Sequence, residues 1–203
     1  MRKQLLYKDL ARYYDLIYSW KDYKRESKKI GDLVKIYKKS KGKDMLEIAC
    51  GTGKHISYLK KDFRIIGTDI NNQMLTIARR QNKGAIFRKA DMVNFNLRKQ
   101  FDVILCLFSS IGYVKSYSDL GKTLANLSKH LKQGGVVLIE PWLTKSVYKA
   151  GLPGMTTYDG KEIKIARLNA SKILGDTSVM DMHYLIAEKG KELFSMPTRS
   201  KFN

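Results

Sequence analysis

Short apolar runs alternate with amphipathic stretches along the first 140 or so of the 203 residues, and this rhythm predicts strands and helices in turn. Strands are expected at residues 44–49, 63–69, 85–88, 101–107 and 135–140, with helices at 53–60, 72–81 and 118–131 between them. An earlier helix is opened by Asp22 as its N-cap and runs to about Ser40, with Ile30, Leu33, Val34 and Tyr37 at helical spacing and Gly42 just beyond. Leu131 ends an apolar helical stripe, and Lys132-Gln133-Gly134-Gly135 turns the chain into the last strand. Such alternation predicts a doubly wound, mainly parallel α/β sheet. After Trp142 the period changes, and residues 161–169 and 178–187 alternate as an antiparallel ribbon that cannot bury its own faces. The chain is therefore read as one domain. Residues 1–142 form the core with an N-terminal helical cap, and 143–203 form a ribbon and tail expected to lie over the sheet as a substrate lid.

The stretch LEIACGTG, Leu46 to Gly53, breaks an apolar run into a glycine-rich turn before a helix, with glycine where backbone must approach a ligand. Asp69 ends the next strand, placed to accept from both hydroxyls of a ribose. The third glycine of a dinucleotide fingerprint is missing after Gly51 and Gly53, so a pyrophosphate at the helix start is not favoured. Ligands of open α/β sheets sit beyond the carboxyl ends of the strands. This directs attention to Ala49 to Gly53, Asp69-Ile70, Asp91-Met92, Leu107 and Glu140-Pro141-Trp142, with Met74 one turn into the helix after Asp69. The alternatives are plain ones: Asp69 as a helix cap, Asp91 as a turn cap, and Met74 and Leu107 as core.

The turn resembles motif I of class I S-adenosylmethionine-dependent methyltransferases, and the resemblance extends from about Tyr7 to His183. It implies that Ala49, Gly51, Thr52 and Gly53 cup the amino-acid end of S-adenosylmethionine. Asp69 and Ile70 would hold the ribose, and Asp91, Met92, Met74 and Leu107 would enclose the adenine. The segments RYYDLIYSWKDY, FSSIGY at 108–113 and EPW at 140–142 are similar to those of nucleotide-linked amino-sugar N,N-dimethyltransferases, in which Tyr18 matches an active-site tyrosine. The [DN]-P-P-[YF] signature of enzymes that methylate base or glutamine amines is absent after residue 107. The expected acceptor is thus an amine, a nucleotide-linked sugar being one candidate. Tyr18, His183, Glu140 or water is left to take the proton. No metal and no covalent nucleophile is required.

Composition adds an ambiguity. The net charge of +20 would suit RNA phosphates or an anionic acceptor, yet the lysines are scattered over helix surfaces and loops and greatly outnumber the arginines that RNA modules favour. A solvated basic surface that attracts the acceptor's diphosphate is the primary reading, and an RNA methyltransferase is the alternative. Cys50 and Cys106 show no metal-ligand spacing and are expected as buried thiols, and His55 and His130 as structural. With no apolar run of membrane-spanning length and no signal-like N-terminus, a cytoplasmic protein is expected. Relatives continue past the ribbon with a helix and a final strand pair, for which SMPTRSKFN leaves no room. That pair is expected to be absent. Either a second subunit then covers the sheet edge in a homodimer, or the chain binds the cofactor without catalysis.

Overall fold

The computed structural model describes residues 10–144 and 146–202, which divide into two compact units, 22–142 and 10–21 together with 143–202. The first unit is a five-stranded parallel sheet of β1 (Asp44–Ile48), β2 (Arg64–Asp69), β3 (Ile86–Lys89), β4 (Phe101–Cys106) and β5 (Leu131–Ile139), in the order β3-β2-β1-β4-β5. Every residue of β1 and β4 is buried, as expected of central parallel strands covered on both sides.

Four helices cover this sheet: α2 (Tyr23–Tyr37), α3 (Lys54–Leu59), α4 (Asn72–Gln81) and α5 (Tyr117–Lys129). Met45, Ile65, Val103 and Leu105 pack with Ile30 and Val34 of α2, Ile56 and Leu59 of α3, and Leu75 and Ala78 of α4. The alternate residues Leu46, Ile48, Ile66 and Ile104 pack with Leu127 of α5 on the other face. The strand period of two thus delivers one apolar set to each helical layer. Asp22, Asn71 and Ser116 cap α2, α4 and α5, each accepting a backbone N–H inside the first turn.

Two boundaries differ from the sequence reading. Helix α2 stops at Tyr37, because Lys38 turns extended and the amides of Lys39 and Ser40 donate to the carbonyl of Gly134. Strand β5 starts at Leu131, opposite Phe101. The expected turn at 132–135 is instead a bulge, after which Val136 pairs with Val103 and Gly134 takes φ +72°.

The second unit holds a short helix α1 (Tyr14–Ile17) and a four-stranded antiparallel sheet of β6 (Gly154–Asp159), β7 (Ile163–Leu174), β8 (Thr177–Glu188) and β9 (Phe194–Phe202), in sequence order. The expected two-strand ribbon is its centre, β7 and β8, joined by a two-residue Gly175-Asp176 hairpin loop in which Gly175 takes φ +59°. The run read as a polar tail is β9. It lies at a sheet edge, where Pro197 can be accommodated opposite His183. Among the described residues the parallel sheet gains no strand beyond β5.

Candidate active site

The chain reverses direction of strand order between β1 and β4, and the loops leaving those two strands are the strained ones in the parallel unit's carboxyl edge. Ala49 and Gly51 after β1 take φ +52° and +54°, and Phe108 and Ser109 after β4 take +51° and +57°. Non-glycine residues there cost of order 1–3 kcal/mol each and persist where surrounding contacts enforce them. The enforcing contacts are visible. Asp69 Oδ2 accepts from the Gly51 amide at 2.9 Å, and Glu140 Oε2 accepts from the Phe108 amide at 2.6 Å.

Gly53 is pinned from the other side, where Asn82 Nδ2 donates to its carbonyl at 3.1 Å and Ser57 Oγ donates to Asn82 Oδ1 at 2.8 Å. A Cβ on Gly53 would lie 2.8 Å from Asn82 Nδ2, and φ there is +74°. Gly51 differs, since a Cβ on it would meet nothing within 4 Å. One glycine is needed for packing and conformation; the other borders open space.

Asp69 does not cap α4. Asn71 does, while Asp69 Oδ1 accepts from the Asn71 amide at 2.8 Å. Asp69 Oδ2 faces the Gly51 amide and Oδ1 the Asn71 amide, and a carboxylate with about four lone-pair sites keeps acceptor capacity beyond its backbone donors. Burial raises its pKa, and the backbone amides of Asn71, Gly51 and Ile70 oppose that rise. Asp91 Oδ1 accepts from the Val93 amide at 3.0 Å, closing a turn that leaves Met92 half-buried against Leu46 and Cys106 neighbours. Met74 and Thr52 are buried, Leu107 joins the core beneath α2 to α4, and Ile70 is exposed.

A buried cluster that the sequence reading did not assemble lies under the glycine turn. His55 Nε2 is 2.9 Å from Glu26 and Nδ1 is 3.5 Å from Glu47, with the Tyr23 ring edge-on. Burial alone would lower its pKa, but hydrogen bonds to the two carboxylates carry it to about 9. Glu47 Oε2 is buried without a hydrogen-bond partner among the described residues. His130 bonds Asn126 and Leu97 through its two ring nitrogens. Both thiols are buried, and burial pushes Cys106 up to about 12 and Cys50 higher than usual, as expected of inert core cysteines.

In the antiparallel unit, Tyr18 rings against Tyr14 at 4.7 Å and Trp20 at 6.3 Å. Arg167 of β7 stacks on the Tyr18 ring, and its Nη1 donates to the Tyr18 hydroxyl at 3.1 Å. Arg167 pairs across the sheet with buried Tyr184, whereas His183 pairs with Leu168 and is exposed. Tyr18 and His183 therefore belong to opposite faces of this sheet. Arg167 sits in a run that reads only as an alternating strand, so nothing marked it in advance.

Residues 45–135 match the model of a methyltransferase domain family. The chain is 34% identical over 186 residues to the Streptomyces venezuelae dTDP-3-amino-3,4,6-trideoxy-alpha-D-glucopyranose N,N-dimethyltransferase, covering 90% of this chain and 78% of that one. The crystal structure of Streptomyces venezuelae DesVI superposes with a TM-score of 0.90 at 32% identity, over 96% of this chain and 84% of the other. The sugar N-methyltransferase KedS8 from Streptoalloteichus sp ATCC 53650 gives 0.86 at 28% identity, over 94% and 77%. With the acid-anchored glycine turn at the switch point of a 3-2-1-4-5 sheet, these similarities show that the chain belongs to the S-adenosylmethionine-dependent methyltransferases.

Proposed function

We propose that the chain methylates the amino group of a sugar carried on a nucleotide. The observation that supports this most is the Asp69 carboxylate, which anchors the open Gly51 turn while keeping acceptor capacity for a diol. The residues present fit S-adenosylmethionine, which supplies a methyl group already activated on a positively charged sulfur. Ala49, Gly51, Thr52 and Gly53 form its amino-acid cradle. Asp69 and Ile70 serve the ribose, and Met74, Asp91, Met92 and Leu107 the adenine. The orphan acceptor of Glu47 suits a ligand rich in cationic donors. What remains for the protein is alignment of the acceptor and exclusion of water.

Of the three candidates for handling the amine proton, we assign Tyr18 the leading part. A guanidinium held at the Tyr18 hydroxyl disfavours an ammonium beside it, which keeps an amine neutral and nucleophilic. Glu140 is engaged with Phe108 and shapes the loop, and His183 belongs to the other face of its sheet. On that face Met155, Leu168 and Leu185 are exposed, and we place a homodimer contact there. Charged substitutions at Leu168 and Leu185 then leave a monomer in analytical ultracentrifugation.

The test of function is turnover with S-adenosylmethionine and nucleotide-linked amino sugars, with mono- and dimethylated products followed by mass spectrometry. Tyr18→Phe lowers kcat by about 100-fold while His183→Ala does not. Cofactor binding without product across amine acceptors identifies a non-catalytic binding protein. Methylation of RNA instead overturns the sugar assignment.

A further inference from the structure

The amino edge of the parallel sheet carries a charge that methyl transfer does not use. The five segments leading into β1 to β5, residues 38–44, 60–64, 82–86, 96–102 and 129–132, contain twelve Lys and Arg against three Asp. The segments leaving the same strands, 49–54, 69–72, 90–95, 107–117 and 140–142, contain two Lys against two Asp and one Glu. Parallel pairing gathers all five starts on one edge, separated from the glycine turn by the length of a strand, about 15 Å or more.

A cavity of about 320 Å³ opens on this edge, lined by Arg98, Lys99, Lys129 and Lys132 with the amides Asn96 and Gln100. Two buried carboxylates organise part of the charge. Asp44 holds Arg64 at 3.0 Å, Lys99 at 3.1 Å and Lys132 at 3.2 Å, and Asp102 holds Lys132 at 2.8 Å. Arg98 and Lys129 have no ion pair among the described residues. His130 spends both ring nitrogens in the wall. The cavity and its supports therefore retain three positive charges more than they neutralise, in an open depression whose volume is at the lower end of the range for small-ligand sites. A guanidinium fork with lysines around it matches phosphate oxygens, whereas the only ring among the lining residues, His130, is packed against Phe95 at 4.5 Å, and no Phe, Tyr or Trp lines the cavity to stack on bases.

We propose that this cavity binds a condensed phosphate chain, a di- or triphosphate, at a site separate from the cofactor turn. Isothermal titration of the full chain with inorganic pyrophosphate and tripolyphosphate tests it, alongside a single-stranded RNA oligomer. The expected result is saturable binding of the condensed phosphates that weakens with added salt, falls about tenfold or more in Arg98→Ala/Lys129→Ala, and is unchanged in Asp69→Ala. The double variant retains wild-type affinity for S-adenosylmethionine, which shows that it is folded. The proposal is overturned by failure to saturate at millimolar pyrophosphate, by undiminished phosphate binding in the double variant, or by loss of phosphate binding in Asp69→Ala. Tight RNA binding that the double variant leaves intact, with no phosphate binding, would also overturn it and mark a diffuse nucleic-acid surface instead.

Discussion

The two edges of the parallel sheet are built from the same five strands and do opposite things with charge. At the carboxyl edge, acids are few and each is committed to a backbone amide: Asp69 to Gly51 and Asn71, Glu140 to Phe108, and Asp91 to Val93. At the amino edge, Asp44 and Asp102 are buried and committed to lysine and arginine, with cations in excess. The first arrangement shapes the loops of the proposed cofactor site, and the second holds strand starts together while leaving a field outside. The lesson is that one topology separates a shaping pole from a charged pole without any change of fold.

The largest expected effect lies at the charged pole. Asp102→Ala removes the acceptor for the amides of Gly42 and Asp44 and the partner of Lys132, and unfolding by urea should show a loss of about 3 kcal/mol. The folded fraction should bind S-adenosylmethionine normally; a parallel loss of affinity would mean that the poles are coupled. At the shaping pole, Asp69→Ala should cost about 2 kcal/mol of cofactor affinity by titration calorimetry, through lost charge-assisted hydrogen bonds. An unchanged dissociation constant would remove Asp69 from the ribose site. Gly53→Ala should lower stability by about 1–2 kcal/mol, since φ +74° and the nearby Asn82 amide both resist a Cβ, whereas Gly51→Ala meets only the conformational penalty.

Acid and alkali should divide the poles more gently. Arg64, with Lys99 and Lys132, holds the Asp44 carboxyl well below the usual range against the cost of its burial. Asp102 is also lowered, because Lys132 and the Asp44 amide outweigh burial. Their contribution is present above about pH 4 and is lost as pH falls through the depressed folded values. His55 runs the other way: its folded value of about 9 exceeds the unfolded one, so its contribution is complete below about pH 6.5 and fades as pH rises through about 9. A urea-stability profile in which His55→Gln keeps its alkaline decline would assign that decline elsewhere.

Much of this was legible in the chain. The apolar runs at 44–49 and 101–107, the Asp22 cap and the Thr68-Asp69-Ile70 strand end place the parallel core within a few residues, because period and capping act locally. Strand β9 was hidden by Pro197 and its charged neighbours, which an edge position permits, and the Gly175-Asp176 hairpin was a signal that went unread. The charge separation was illegible for a different reason. Lysines that look scattered along the chain, such as Lys39, Lys61, Lys99 and Lys132, sit on loops and strand starts that only parallel pairing brings to one edge. The His55 cluster likewise joins three elements through partners 8 and 29 positions away, beyond any local pattern.

Asn82 closes α4 yet reaches back to the Gly53 carbonyl and to Ser57, so the bend proposed to receive the cofactor is already fixed by the end of a helix. Little backbone freedom then has to be surrendered when a guest arrives, which favours affinity by preorganisation. Amide hydrogen exchange at residues 51–53 should accordingly be slow in the apoprotein, and Asn82→Ala should quicken it before it touches any contact with the guest.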